Sequence, residues 1–144
     1  NEPSGDADRK DSPSNIEATG EFVVNMATEA LTNQMNASSA TVPNDVDEFE
    51  LAGLTAEPSQ LVKAPRVAES PAHMECTFLK RVDLPSSNPA QRNEMIIGQV
   101  IGIHIRDEVL VDGLVDVTKF RPLARLGYMQ YTVVEKVFTL DRPG

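Results

Sequence analysis

The stretch from Glu94 to Asp116 constrains the fold of this chain most, because its first half is apolar on both faces of an extended strand. Successive side chains of a strand point to opposite faces of its sheet. Apolar residues at both odd and even positions from 95 to 105 therefore predict one long strand that is covered on both sides. Such a strand forms a barrel wall or a sheet packed on a partner. Residues 106–108 then turn the chain into a short strand that ends at the Asp112–Gly113 turn signal.

The even face of this strand carries two glycines, Gly98 and Gly102, which remove side chains at a spacing of four. Glycine inside a strand often marks a place where another backbone or a ligand comes close. His104 follows on the same face. The pattern predicts a glycine trough (Gly98 and Gly102) that can take a flat ligand beside His104. The alternative for His104 is a histidine that only satisfies a hydrogen bond at a strand end.

Composition excludes several classes of protein. The net charge of −9 argues against binding to nucleic acid or to anionic membranes, which needs basic patches. No segment approaches the roughly 20 apolar residues of a membrane span, and no signal peptide opens the chain. We expect a soluble, cytoplasmic protein.

The single cysteine, Cys76, excludes an internal disulfide and a cysteine-built zinc site. It alternates with Met74 and Phe78 on an apolar strand face, which favours a buried, inert thiol over a nucleophile. Two histidines among scattered carboxylates do not make a metal motif, so no metal site is predicted.

The length of 144 residues predicts one domain, residues 1–144, with residues 1–9 as a polar, mobile lead. A helix from Asp11 to Gly20 follows, because a capping Asp11 or Ser12, a proline in the first turn and a closing glycine mark its ends. The helix start beside Lys10 offers backbone N–H groups, an ammonium and hydroxyls to an anion. The alternative is a well-capped surface helix.

The remaining pattern predicts further strands and short helices around the central strand. Helical periodicity indicates a helix over about residues 28–36 and a helical turn that ends at Gly53. A last short helical piece is capped by Asp116 or Thr118, interrupted by Pro122 and closed by Gly127. Strands are predicted at Glu21–Met26, Ala72–Leu84 and Tyr131–Leu140. This order favours a mainly β or α+β fold with an antiparallel sheet or barrel. There is no dinucleotide fingerprint, Walker loop or hydrolase elbow.

A series of short strings resembles flavin reductase-like, FMN-binding split-barrel proteins, and these strings occur in one order from about Lys10 onward. They are Lys10-Asp11-Ser12, Asn15-Ile16, Gly20 to Asn25, Met35 to Ser38, Val46 to Leu54, Pro65 to Pro71, Glu75-Cys76, Gly98 to His104 and Pro122 to Gly127.

The resemblance implies a split β-barrel with short flanking helices that forms a homodimer and holds FMN near the subunit interface. The upstream strands of the family have no counterpart here, so we expect a barrel that is incomplete at its N-terminus. Tyr128 stands where relatives carry a second glycine after Gly127. The resemblance also implies site residues. The cofactor-binding residues are Lys10, Asp11, Ser12, Asn36 and Arg125, and the catalytic residue is His104.

Three function classes follow from this resemblance. The first is a flavin-dependent oxidoreductase, in particular an NADH- or NADPH-dependent FMN reductase. The second is a non-catalytic flavin-binding or electron-carrier module, since the split barrel serves both uses. The third is a truncated chain that folds only on a partner subunit. Nicotinamide preference and the physiological electron acceptor stay open.

Overall fold

The computed structural model describes residues 11–40, 42, 46–88 and 93–144, and the predicted lead at residues 1–9 lies outside them. Contacts within the chain divide it into two compact units. The first unit comprises the described parts of residues 1–24, 58–65 and 74–103. The second comprises those of residues 25–57, 66–73 and 104–144.

Short helices alternate with strands along the described residues. The helices are α1 (Asp11–Thr19), α2 (Thr32–Ala37), α3 (Glu48–Ala52) and α4 (Val117–Phe120), with 3-10 turns at Glu29–Leu31 and Asp107–Val109. The strands are β1 (Glu21–Asn25), β2 (Ala56–Glu57), β3 (Arg66–Val67), β4 (Ala72–Leu84), β5 (Asn93–Ile105), β6 (Leu110–Val111), β7 (Leu114–Val115), β8 (Leu123–Arg125) and β9 (Tyr131–Val133).

The strands confirm a mixed α and β fold, but the described sheets do not close into a barrel. Three strands form one sheet in the order β1-β4-β5. The other described strands form three antiparallel pairs, β2 with β3, β6 with β7 and β8 with β9. Among the described residues, every helix is too short or too polar to cross a lipid bilayer.

In the first unit, helix α1 is fixed to strand β4. Arg81 Nη1 donates to Glu17 Oε1 at 2.9 Å, and the amide of Phe78 donates to the carbonyl of Gly20 at 2.8 Å. Gly20 ends the helix with a φ of 74°, a left-handed conformation that glycine adopts without a Cβ clash. Cys76 is only 2% exposed, as the alternation of apolar residues predicted.

In the second unit, small elements pack around Leu31, Ala52, Val109 and Phe120, all buried. Asp47 caps α3, since its Oδ1 accepts from the amide of Phe49 at 2.8 Å. The turn at Asp112–Gly113 has positive φ angles of 51° and 78°, so this pair closes the β6–β7 hairpin as its sequence predicted.

Several predicted elements differ from the observed ones. The last strand stops at Val133 instead of Leu140, and α4 ends at Phe120 instead of Gly127 because Arg121 adopts a positive φ of 48° before Pro122. Residues 123–125, predicted to be helical, pair with residues 131–133 as strands. The β2–β3 pair was missed, because two-residue strands leave no periodic signal.

Candidate functional site

The predicted site residues are distributed over both units. Lys10 lies outside the described residues. Asp11 is the first residue of α1, and Ser12 follows it with an exposed side chain, so a hydroxyl lies in the first turn. Both belong to the first unit, whereas Asn36, His104 and Arg125 belong to the second.

The glycine trough is not open to a ligand, which corrects the prediction made from the sequence. A Cβ atom at Gly98 would lie 2.4 Å from Cζ of Phe22, and a Cβ atom at Gly102 would lie 2.8 Å from Cδ1 of Leu61. The glycines are therefore needed because two side chains of the same unit pack against them. The spacing of the two glycines showed where side chains are missing from the strand. It could not show that side chains from other segments fill those places.

His104 lies against the other histidine of the chain, His73. The ring centroids are 6.3 Å apart and the ring planes meet at 69°, an edge-to-face arrangement. His73 is 4% exposed, and its Nε2 lies 2.8 Å from the carbonyl oxygen of Val67. A carbonyl oxygen can only accept a hydrogen bond. Nε2 of His73 therefore carries the ring proton and donates a hydrogen bond to the carbonyl oxygen of Val67. Burial lowers the pKa of His73, and the positive charge of Arg66 lowers it further, so a neutral ring is favoured.

Arg66 adjoins this pair along β3. Its side chain is 12% exposed, and Nη2 lies 3.4 Å from Oε2 of Glu57 on the neighbouring strand. Its Nε is buried without a hydrogen-bond partner. Neither Arg66 nor His73 was predicted from the sequence as a site residue. Each is an ionisable residue with apolar neighbours in the sequence. Only the structure shows how far its side chain is buried.

Asn36 and Arg125 lie on exposed ends of their elements. Asn36 is exposed near the C-terminus of α2, where its backbone carbonyl accepts from the hydroxyl of Ser39 at 2.7 Å. Arg125 ends β8, with its guanidinium carbon 5.5 Å from the centre of the Tyr131 ring. Arg125 Nη2 also donates to the carbonyl of Tyr128 at 3.2 Å.

A cavity of about 190 Å³ lies beside the end of β1 and helix α2. Its lining is mainly apolar, and Asn36 is not part of it. The polar groups around it are largely used within the protein. Asn25 Oδ1 accepts from the amide of Val67 at 2.9 Å, and the hydroxyl of Ser38 donates to the carbonyl of Met35 at 3.0 Å. The cavity thus offers volume but few groups that would orient a ligand.

Two classes of chemistry have no support in these residues. No group of three or more His, Cys, Asp or Glu side chains that could hold a metal ion occurs in the described part of the chain. Cys76 is buried as predicted, and burial raises the pKa of its thiol, which disfavours the reactive thiolate.

Comparison with known proteins decides the family. The family model described as "Flavin reductase like domain" matches residues 7–124, which is most of the chain. The chain belongs to this flavin reductase-like family. An uncharacterized protein from Halalkalibacterium halodurans is 33% identical to it over 138 residues, which are 96% of this chain and 66% of the relative.

Solved structures agree with the family. Nitrilotriacetate monooxygenase component B from Bacillus cereus matches this flavin reductase-like chain with a TM-score of 0.84 and 29% identity, over 92% of this chain and 65% of that one. A protein from Shewanella frigidimarina, described as a flavin reductase with a split barrel domain, matches with a TM-score of 0.78 and 26% identity, over 92% and 65%. The chain thus spans slightly less than two thirds of the length of these relatives.

Proposed function

We propose that this chain forms part of a flavin-dependent oxidoreductase that binds FMN and takes hydride from NADH or NADPH. The observation that carries the proposal is the family match over residues 7–124, together with structural similarity to a protein described as a flavin reductase. The alternative is a flavin-binding or electron-carrier module without catalysis. We also propose that the open sheets are part of a split barrel in the assembled protein.

The start of helix α1 has the chemistry required for the FMN phosphate. The positive end of the helix dipole favours an anion there, and the Ser12 side chain is exposed in the same turn. Asp11 would contribute its backbone, because a carboxylate would repel the phosphate. Lys10 precedes the helix in sequence and would add a positive charge.

The isoalloxazine ring does not fit over Gly98 and Gly102, because Phe22 and Leu61 already pack there. The ring must therefore lie elsewhere. When bound, FMN accepts hydride and passes on electrons, so no protein nucleophile is needed.

His104 is the proposed catalytic residue of this reaction. Its ring is partly exposed, and the neutral, buried His73 packs against it edge-to-face. An imidazole can donate a hydrogen bond to a ligand beside it. Such a group stabilises negative charge that develops on a reduced ring or orients the nicotinamide. Asn36 and Arg125 remain proposed cofactor contacts at exposed positions.

FMN titration of the 144-residue chain tests flavin binding. Replacing Lys10 and Ser12 together by Ala should weaken FMN binding by about 1–3 kcal/mol, since each removes a hydrogen bond to a charged group. Unchanged FMN affinity in the double variant would remove the phosphate site from the proposal.

Stopped-flow reduction of FMN by NADH and by NADPH separates the enzyme from the electron carrier. In an enzyme, His104→Ala should slow hydride transfer roughly 10²–10⁴-fold if His104 acts as an acid or electrostatic group. A chain that binds FMN and oxidises neither nucleotide would favour the carrier. An unchanged rate in the His104 variant, with a lowered melting temperature, would assign His104 to structure.

We further propose a cytoplasmic homodimer. The odd-numbered face of β5 supports association, because Met95, Ile101, Ile103 and Ile105 are between 39% and 64% exposed. Exposed apolar strand surface favours pairing with another chain. Light scattering should report particles larger than a monomer, and the lysine variant Ile103→Lys should reduce their mass. A monomer at all micromolar concentrations would contradict the homodimer.

A further inference from the structure

Arg66 is a nearly buried cation whose charge is poorly compensated within its unit. Its side chain is 12% exposed, yet Glu57 lies 3.4 Å away and is itself 46% exposed. Charge-assisted N–H···O bonds are normally about 2.7–2.9 Å long. Nε of Arg66 is buried and has no hydrogen-bond partner. A buried donor without a partner is costly, and a buried cation more so.

Arg121 in the same unit shows what a compensated arginine looks like. Its Nε donates to Glu29 at 2.6 Å and its Nη2 donates to Glu135 at 2.9 Å. Its side chain is 37% exposed. Arg66 is more deeply buried than Arg121, but among the residues that the structure describes it has one long ion pair instead of two short ones. Two carboxylates compensate the charge of Arg121. Arg66 still has N–H groups that could donate a hydrogen bond.

The backbone around Arg66 is held rigidly. The amide of Val67 donates to Asn25 Oδ1 at 2.9 Å, and its carbonyl accepts from His73 at 2.8 Å. Arg66 itself pairs in register with Glu57 across the β2–β3 ladder. A group positioned by such supporting contacts loses little conformational entropy when it binds a ligand.

The ionisable groups near Arg66 are the Glu57 carboxylate and the pair of histidines, His73 and His104. The His73 ring is hydrogen-bonded to the carbonyl of Val67, the residue after Arg66. The ring centroids of His73 and His104 are 6.3 Å apart. Both Arg66 and His104 act on His73 as positive charges, and Glu57 is the carboxylate that opposes them.

We propose that Arg66 binds an oxyanion, namely a phosphate or a carboxylate group of a small molecule. The guanidinium presents planar N–H donors that match either group. The oxyanion would displace the exposed Glu57 carboxylate. It would accept hydrogen bonds from guanidinium N–H groups of Arg66 that have no close acceptor among the described residues. This site does not depend on flavin binding.

Calorimetric titration of the 144-residue chain without flavin tests the proposal, with inorganic pyrophosphate in one arm and benzoate in the other. Arg66→Gln should weaken binding of the preferred anion roughly 10- to 100-fold, because a charge-assisted contact is lost. Glu57→Gln should tighten it about 2- to 5-fold, since the weak competing ion pair is removed. Whichever arm binds identifies the phosphate or the carboxylate as the ligand chemistry.

The matched control is Glu29→Gln, which removes a carboxylate from Arg121 and should leave anion affinity unchanged. Glu57→Gln keeps the proposal testable if Arg66→Gln does not fold. Binding of neither anion at millimolar concentration would overturn the site. So would tightening by Glu29→Gln that equals the effect of Glu57→Gln, because the added affinity would then reflect net charge alone. Failure to bind FMN leaves this result unaffected.

Discussion

The carboxylate of Glu75 accepts a hydrogen bond from the backbone amide of Leu61 at 2.6 Å. The amides of Gln60 and Val62 donate to the same carboxylate at 2.9 and 3.0 Å. Glu75 is fully buried, so it holds three consecutive amides that no regular ladder satisfies. The Leu61 side chain that packs on Gly102 belongs to this segment.

Replacing Glu75 by Gln should lower the free energy of unfolding by about 1–3 kcal/mol, because an amide nitrogen would face a backbone N–H. Urea unfolding followed by circular dichroism measures the change. Asp141→Asn, an equivalent change at an exposed position, should stay within roughly 0.5 kcal/mol of the parent. Equal effects of the two changes would show that the carboxylate of Glu75 does not hold the segment.

Replacing Gly98 by Ala should lower the free energy of unfolding by about 1–3 kcal/mol, since the added methyl would lie 2.4 Å from the Phe22 ring. Gly127→Ala is the control, because nothing lies within 4 Å of its new methyl. Adding Phe22→Leu to Gly98→Ala should recover part of the loss in a double-mutant cycle. Additive effects of the two changes would contradict the contact.

Replacing Tyr128 by Gly should raise the free energy of unfolding by about 1 kcal/mol, because Tyr128 has a φ of 58°, which is costly for any residue with a Cβ atom. The side chain is 94% exposed, so little packing is lost. Met129→Gly, 86% exposed and without a positive φ, should instead lower stability by roughly 0.5–1 kcal/mol. Thermal unfolding of both variants measures the opposite signs. A destabilised Tyr128 variant would show that its ring has a role.

Lowering the pH below about 6.5 should decrease stability through His73. Burial lowers the pKa of His73 from its ordinary value of 6.5, so the unfolded chain binds a proton more readily than the folded chain. Stability therefore rises with pH between the folded and unfolded pKa values and is lost as the pH falls through that window. The carboxylates with lowered pKa, Glu29, Glu69 and Asp116, lose their contribution at lower pH.

Urea unfolding at steps from pH 8 to pH 5 measures this slope, and His73→Gln should reduce it. His104→Gln is the comparison, because it removes the other histidine of the pair. A slope that survives in the His73 variant would assign the pH dependence to groups other than His73.

Local patterns in the sequence determined much of the secondary structure. The strand at Ala72–Leu84 has the predicted bounds, and helix α1 stops where Gly20 was expected to close it. Apolar alternation and end signals such as a glycine at a helix C-terminus act over a few neighbouring residues. For the same reason the burial of Cys76 and the family resemblance were readable from the sequence.

Only the tertiary structure decided what surrounds each chemical group. Phe22 and Leu61 fill the spaces at Gly98 and Gly102 from 76 and 41 positions earlier in the chain, a proximity that no periodicity encodes. The contact of His73 with His104 likewise joins segments far apart in sequence. Desolvation and charge pairing depend on these long-range neighbours, so the chemistry of an ionisable residue follows from its packing rather than from its place in a motif.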